Sequence, residues 1–267
     1  MTAAKPDTRL DANLPWLAPL QPAASQLLPC WPAAGSVADM LNGALQRLAT
    51  PPPLAAGPLR FVPQADLPAG EAYEAFIHRS AQVPTRNNLH DLFNGLVWLA
   101  RPALKTRMNA LQAAEIQRAG IGAQRGRLRD ALTLFDENGA VLDGPVGVVA
   151  ALAAALRARD WTALFISHRA QWAGVRLTLI GHALLEQLAT APRKPLTAHV
   201  LLGDALALSA DDWASKPFLP LPVLGVPGWW PANEARDFYA DAAVFRPPRL
   251  AGDLPVNQAG KKPSIDR

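Results

Sequence analysis

Among 267 residues there is one cysteine, Cys30, which rules out an internal disulfide and any cysteine-based zinc cluster. It lies in the Pro-flanked apolar stretch LLPCWPA, with no neighbour that would activate a thiolate. Long hydrophobic runs are missing too. Nothing approaches the roughly 18 consecutive apolar residues of a membrane span. The opening stretch MTAAKPDTRLDANLPWLAPL mixes acids with bases, is broken by prolines and has no apolar h-region, so neither a signal nor a transit peptide is expected. Charge is sparse: 18% of residues are charged and the net balance is +4. The basic residues are scattered through RLATPPP, RPALKTR, QRGRLRD and APRKP, without stacking aromatics between them. That dispersal argues against a nucleic-acid partner. The sequence therefore reads as that of a soluble, cytoplasmic protein with no membrane partner, for which nucleic acid is not the expected partner. No Gly-rich phosphate loop or nucleophile-elbow serine is present, which removes two large enzyme classes.

Half of the residues are apolar, enough for a sizeable core. The 26 prolines concentrate in residues 15 to 68 and 217 to 248. The expected fold class is α+β: a predominantly helical single domain with a small antiparallel sheet and extended Pro-rich arms. Residues 1–57 are assigned to an N-terminal arm with one helix, 58–250 to the core domain and 251–267 to a flexible tail. The helix of the arm is SVADMLNGALQRLA, with Ser36 as N-cap and Asp39 at the capping-box position. A short strand is expected near Phe61, followed by three helices between Gly70 and Gly120. ALTLFDENGAVL reads as a hairpin around an Asp-Glu-Asn-Gly turn. GVVAALAAALRARDWTALF and VRLTLIGHALLEQLAT have helical apolar spacing, and PLTAHVLLGDALAL fits a buried helix or a strand.

The most informative segment is RNNLHDLFNGLVWLA. Leu89, Leu92, Phe93, Leu96 and Val97 recur at helical spacing and form a core face. Asn87, His90, Asp91, Asn94 and Trp98 share the opposite face, with Thr85 and Arg86 at its start. A solvated face would carry Glu, Lys, Gln and Arg. Short side chains capable of directional hydrogen bonds suit a cleft, or a buried polar network, better than open water. Arg86 adds a planar donor fork beside the helix start, where N–H groups favour an anion.

Other chemistry is weaker. GHALLEQL puts His182 and Glu186 four residues apart on one helix face, a spacing that can hold a divalent metal. Further ligands would have to come from His199, His90 or Asp91, and only if the fold joins those segments. The pair is therefore assigned a structural role, and no metal or cofactor is expected. LFDENGAVL resembles the first motif of aspartyl-nucleophile phosphatases, with Asp136 as nucleophile, but Asn138 and Ala140 stand where that chemistry needs an acid and a hydroxyl. NNLHDL resembles a His-Asn nuclease finger without the hairpin such a finger needs. The aromatic C-terminal stretch with Trp229, Trp230 and Asn233 is expected to cover the core rather than roof a pocket.

FVPQADLPAGEAYE, VPTRNNLHDLFNGLVWL, LTLFDENG, GHALLEQL and LPVLGVPGWWPANEARDFYADAAVFRPPR together resemble a bacterial domain-of-unknown-function family, number 3025, from about Phe61 to Arg249. The resemblance implies a bacterial single-domain protein whose recurring polar positions are Arg86, His90, Asp91, Asn94 and Trp98; it implies no activity. From the residues, the sequence points to a hydrolase-like enzyme for an anionic small molecule. His90 and Asp91 are the expected acid/base pair, and Arg86, Asn87, Asn94, Trp98 and Lys105 the substrate-binding set. The competing expectation is a non-catalytic binding or interaction domain in which the same polar face is a structural network.

Overall fold

Proline shapes the first part of the chain into short turns, because it presets φ and lacks an N–H to continue a ladder. In the computed structural model, which describes residues 10–32, 35–48, 52–120 and 126–247, a 3-10 turn at Pro15–Leu20 leads to α1 (Ala23–Leu27) and a second turn at Leu28–Cys30. Helix α2 (Val37–Leu45) follows its expected cap: Ser36 Oγ accepts from the Asp39 N–H at 3.0 Å. Trp16, Leu17, Leu20, Leu28 and Leu41 are all buried, in the same core cluster as the apolar face of the central helix. The tail expected at 251–267 lies outside the described residues.

A minimal hairpin, β1 (Pro53–Leu54) and β2 (Gly57–Pro58), precedes the expected strand at Phe61, β3 (Arg60–Pro63). The chain crosses through α3 (Tyr73–Ser80) and returns as β4 (Gln82–Thr85), parallel to β3 with Phe61 opposite Val83. The central helix α4 (Leu89–Ala100) and the longer α5 (Pro102–Ala119) meet at the proline break. Leu92, Phe93, Leu96 and Val97 are wholly buried, as the apolar spacing requires.

Two expectations are corrected here. The segment read as a hairpin is helix α6 (Arg127–Asn138) running directly into strand β5 (Gly139–Asp143). Leu128, Ala131, Leu132 and Phe135 carry a helical spacing that outweighs the turn-like letters at its end, and the last three are fully buried. After α7 (Val146–Ala158), the segment read as one helix divides into strand β6 (Arg176–Leu179) and helix α8 (His182–Thr190), with Gly181 as the helix N-cap. The alternation around Leu177 and Leu179 is the strand period. PLTAHVLL resolves as β7 (Thr197–Leu202), and α9 (Ala210–Ala214) and β8 (Leu219–Pro222) complete the set. The main sheet has order β6-β5-β7-β8; β5 and β7 are parallel, and the other pairs are antiparallel. The architecture is α+β and dominated by helices, and no helix among the described residues is long and apolar enough to cross a membrane.

What positions the site is the close approach of α6 and α8. The Gly139 carbonyl accepts from both the Ile180 and Gly181 N–H groups at 2.9 Å, stapling the end of α6 to the start of α8. A Cβ on Gly181 would fall 2.5 Å from the Glu137 carbonyl oxygen and from Asn138 Cα, so only glycine permits this contact.

Candidate active site

Three helices deliver the reactive side chains. The last turn of α6 supplies Asp136 and Glu137, the first turn of α8 supplies His182, and Glu186 follows one turn later. The N-terminal turn of α4, packed against α8, supplies His90. Its own start is fixed by Asn88, whose side chain accepts from the Asp91 N–H at 2.7 Å.

The two imidazoles meet edge to face, with ring centroids 4.3 Å apart and Nε2 atoms 2.9 Å apart. Glu137 Oε2 lies 3.7 Å from Nε2 of His182 and 4.0 Å from Nε2 of His90. On the far side of His90, Nδ1 is 3.0 Å from Glu186 Oε2. Burial pushes His182 down to about 4, against the opposing pull of Asp136, so its ring is neutral near pH 7.

Beneath the histidines lies a bonded polar layer. The Lys105 ammonium donates to Asp136 Oδ1 at 2.5 Å and to Asn94 Oδ1 at 2.8 Å, and Asn94 in turn donates to the Tyr73 hydroxyl at 3.2 Å. Burial pushes Asp136 up, but the Lys105 charge, His182 and the Lys105 hydrogen bond together hold it below the usual carboxylate value. Burial raises Tyr73 well above its ordinary value, with the charge of Glu74 adding to it. Glu74 is raised by burial and by Asp136, against the hydrogen bond it accepts from Asn109 at 2.5 Å.

Above this layer a cleft of about 550 Å³ opens to solvent; His90, His182, Asp136 and Glu137 line it together with Asn94, Arg86, Asp91 and Arg129. Arg129 lies two turns before Glu137 on α6, and its Nε is buried without a hydrogen-bond partner. A larger depression of about 790 Å³ elsewhere is lined by Arg101, Arg169, Arg176, Trp172 and Trp229. Arg169 there is already paired with Glu234, and no histidine or nucleophile joins it, so size alone does not make it the reactive site.

The sequence-derived candidates divide among these layers. His90, Asp91, Arg86 and Asn94 line the cleft. Asp91 is 7% exposed and its carboxylate is spent on Arg86, accepting from the backbone N–H at 2.6 Å, from Nε at 3.2 Å and from Nη2 at 2.8 Å. Asn87 faces away, its Oδ1 accepting from the Val37 N–H at 2.9 Å and so helping to start α2. Trp98, placed at the cleft by its spacing, is 1% exposed and packs in the core, with the Lys105 ammonium 5.3 Å from its ring centre. Lys105 sits under the cleft rather than in it. His199 lies on β7 against Phe218 and is not part of the cluster. Glu137 was hidden inside letters that resemble a turn, and the helical spacing of α6 is the signal that would have exposed it.

With the geometry in hand, comparison with known proteins is short. The family described as "Protein of unknown function (DUF3025)" matches residues 59–207 and 202–249. The chain belongs to this family. The DUF3025 match runs from the residue before β3 past β8 and contains every side chain named around the cleft. No curated protein and no solved structure matches the chain. The DUF3025 description names no activity, so function has to be argued from the cleft.

Proposed function

We propose that the cleft is the active site of a hydrolase acting on an anionic small molecule. The observation that carries this is the convergence of the His90 and His182 Nε2 atoms and Glu137 Oε2 at the floor of an open cleft. Catalytic groups are recognised by such mutual geometry together with access for a substrate. Glu186 at Nδ1 of His90 orients that ring and strengthens it as a base, the role a carboxylate plays behind a catalytic imidazole. Asp91 does not fill this role, because Arg86 occupies its carboxylate. Water held between the imidazoles and Glu137 is then the nucleophile, directed at a carbonyl or phosphoryl group entering from the cleft.

The anionic character of the substrate follows from the two guanidinium groups on the wall. Arg86 gives both Nε and Nη2 to Asp91, so Arg129, which lines the same cleft, is the better anchor for a carboxylate or phosphate. The Asn94–Lys105–Asp136 layer supports the competing, non-catalytic reading, but it lies under the histidines and leaves the cleft open.

The test is hydrolysis of a panel of carboxylate- and phosphate-bearing esters, amides and phosphodiesters by the wild-type chain, His90→Ala and Arg129→Met. Turnover lost in His90→Ala, with KM raised at least about tenfold and kcat little changed in Arg129→Met, is expected. Hydrolysis that survives His90→Ala unchanged places the chemistry elsewhere.

A further inference from the structure

The floor of the cleft has the composition of a metal centre. We propose that His90, His182 and Glu137 bind one divalent transition-metal ion of the zinc class, with a fourth coordination position open to the cleft. Its binding stands on the geometry alone; its catalytic role rests on the hydrolase reading above.

Each of these residues offers one ligand atom, and the three atoms lie within 4.8 Å of one another. Their separations are 2.9, 3.7 and 4.0 Å. Ligands about 2.0 to 2.1 Å from a tetrahedral zinc stand about 3.3 to 3.4 Å apart, a value these separations bracket. Seating the ion requires the two imidazoles to part by a few tenths of an ångström and the carboxylate to close by a similar amount. All three side chains are positioned from helix ends, where small rotamer adjustments suffice.

The surroundings are those of a ligand set as well. Glu186 Oε2 sits 3.0 Å from Nδ1 of His90 and so holds the proton on that nitrogen, leaving the Nε2 lone pair aimed at the centre. Asp136 Oδ2 is 3.8 Å from Nδ1 of His182 on the side away from the cluster, and Lys105 anchors that carboxylate from below. A lone pair on Nε2 of His90 faces Nε2 of His182 at 2.9 Å. A contact this short needs something between the nitrogens, either a proton on Nε2 of His182 or a cation. A proton joins the two rings alone; a cation draws in Glu137 Oε2, 3.7 Å from one nitrogen and 4.0 Å from the other, as a third ligand.

Two imidazoles and one carboxylate favour zinc, manganese, cobalt or nickel over magnesium or calcium, which prefer sets made of oxygen. Three protein ligands and an open position describe a catalytic rather than a structural site. A cation there lowers the pKa of a bound water, leaving hydroxide on the metal and one proton released to solvent, and thereby supplies the nucleophile of the proposed hydrolysis.

The experiment is calorimetric titration of zinc chloride into chelator-stripped full-length protein, with circular dichroism to confirm the fold of each variant. One site per chain with micromolar or tighter affinity is expected. Affinity should fall at least about a hundredfold in His90→Ala and in Glu137→Gln, fall about 10- to 100-fold in Glu186→Gln, and stay unchanged in His199→Ala. His90→Ala and Glu137→Gln alter part-exposed side chains, so both are expected to fold even where His182→Ala does not. No binding by the wild-type chain, or binding indifferent to both substitutions, overturns the proposal. Zinc bound without hydrolysis of any substrate in the panel removes the hydrolase reading and keeps the metal site. Hydrolysis by stripped protein that takes up no zinc does the reverse.

Discussion

Lys105 is the test of how the layer under the cleft is held together. Its ammonium contacts the carboxylate of Asp136 at 2.5 Å, and the two side chains are only 6% and 16% exposed. Replacing Lys105 with Met keeps most of the aliphatic volume against Trp98 but leaves Asp136 as an uncompensated buried charge. Breaking a buried pair from one side costs about 3 to 5 kcal/mol. The donor that Asn94 Oδ1 loses in the same substitution belongs to that sum and is not added to it. The sign of the second step is the sharper prediction. In wild-type protein, Asp136→Asn should destabilise by about 2 to 4 kcal/mol, because it strands the ammonium between neutral acceptors. In the Lys105→Met background the same change should stabilise, because it removes the carboxylate left without its ammonium. The double variant should end about 1 to 2 kcal/mol below wild type, the size expected for lost hydrogen bonds without a buried ion. Urea unfolding of the four proteins at pH 7, in buffer with chelator, measures the cycle. If Asp136→Asn further destabilises the Lys105→Met protein, or if Lys105→Met alone costs under about 1 kcal/mol, the pair is not what holds this layer.

The two faces of α4 should differ in cost. Leu96→Ala, at a site with no exposure, should lose about 2 to 5 kcal/mol in a denaturant melt, whereas His90→Ala, at a side chain 29% exposed and paired with the 33% exposed Glu186, should lose less than about 1 kcal/mol; equal losses would mean that the cleft is sealed. Gly181→Ala forces a Cβ against the Glu137 carbonyl and should cost about 1 to 3 kcal/mol by overpacking. The same variant should weaken zinc binding, and wild-type behaviour in both measurements would show that the approach of α6 to α8 is loose. Glu74 is raised by burial and by Asp136, so the folded state holds its proton more tightly than the unfolded chain does. Its contribution to stability therefore falls as pH rises from the ordinary carboxylate range through the folded value. Glu74→Gln should remove that fall and be more stable than wild type at pH 8; a wild-type midpoint at both pH 5 and pH 8 would contradict it.

The sequence made α4 legible because its apolar spacing, its polar residues and its start signals agree, and elements with that agreement fold as they read. Ser36 and the strand at Phe61 were legible for the same reason. The end of α6 was not. Asp-Glu-Asn-Gly satisfies the local rule for a hairpin turn, while Leu128, Ala131, Leu132 and Phe135 satisfy the helical one. Three of these four apolar residues are fully buried, so tertiary packing settled the conflict for the helix and carried Glu137 with it. VRLT failed in the opposite direction, because a strand followed at once by a helix through Gly181 blurs two periods into one.

The site itself is harder to read than any of its helices, because its pairings are made across the chain. His182 and Glu186 looked like one unit at a spacing of four. In the structure they part: His182 turns its Nε2 to the centre and Glu186 turns to Nδ1 of His90, 96 residues away in sequence. Trp98 shows the converse. It shares a helix face with His90 and Asn94, yet α4 is enclosed along its length by α8, α5 and α2, so a polar face here marks partners rather than solvent. Only the stretch of α4 from His90 to Asn94 lines the cleft. Asn94 at its inner end bonds to Lys105, and Trp98, one turn farther along, is in the core. Helical periodicity assigns a side chain to a direction; whether that direction ends in a cleft, an ion pair or the core depends on which helix lies opposite. For the cleft, Gly181 is what lets α8 touch α6.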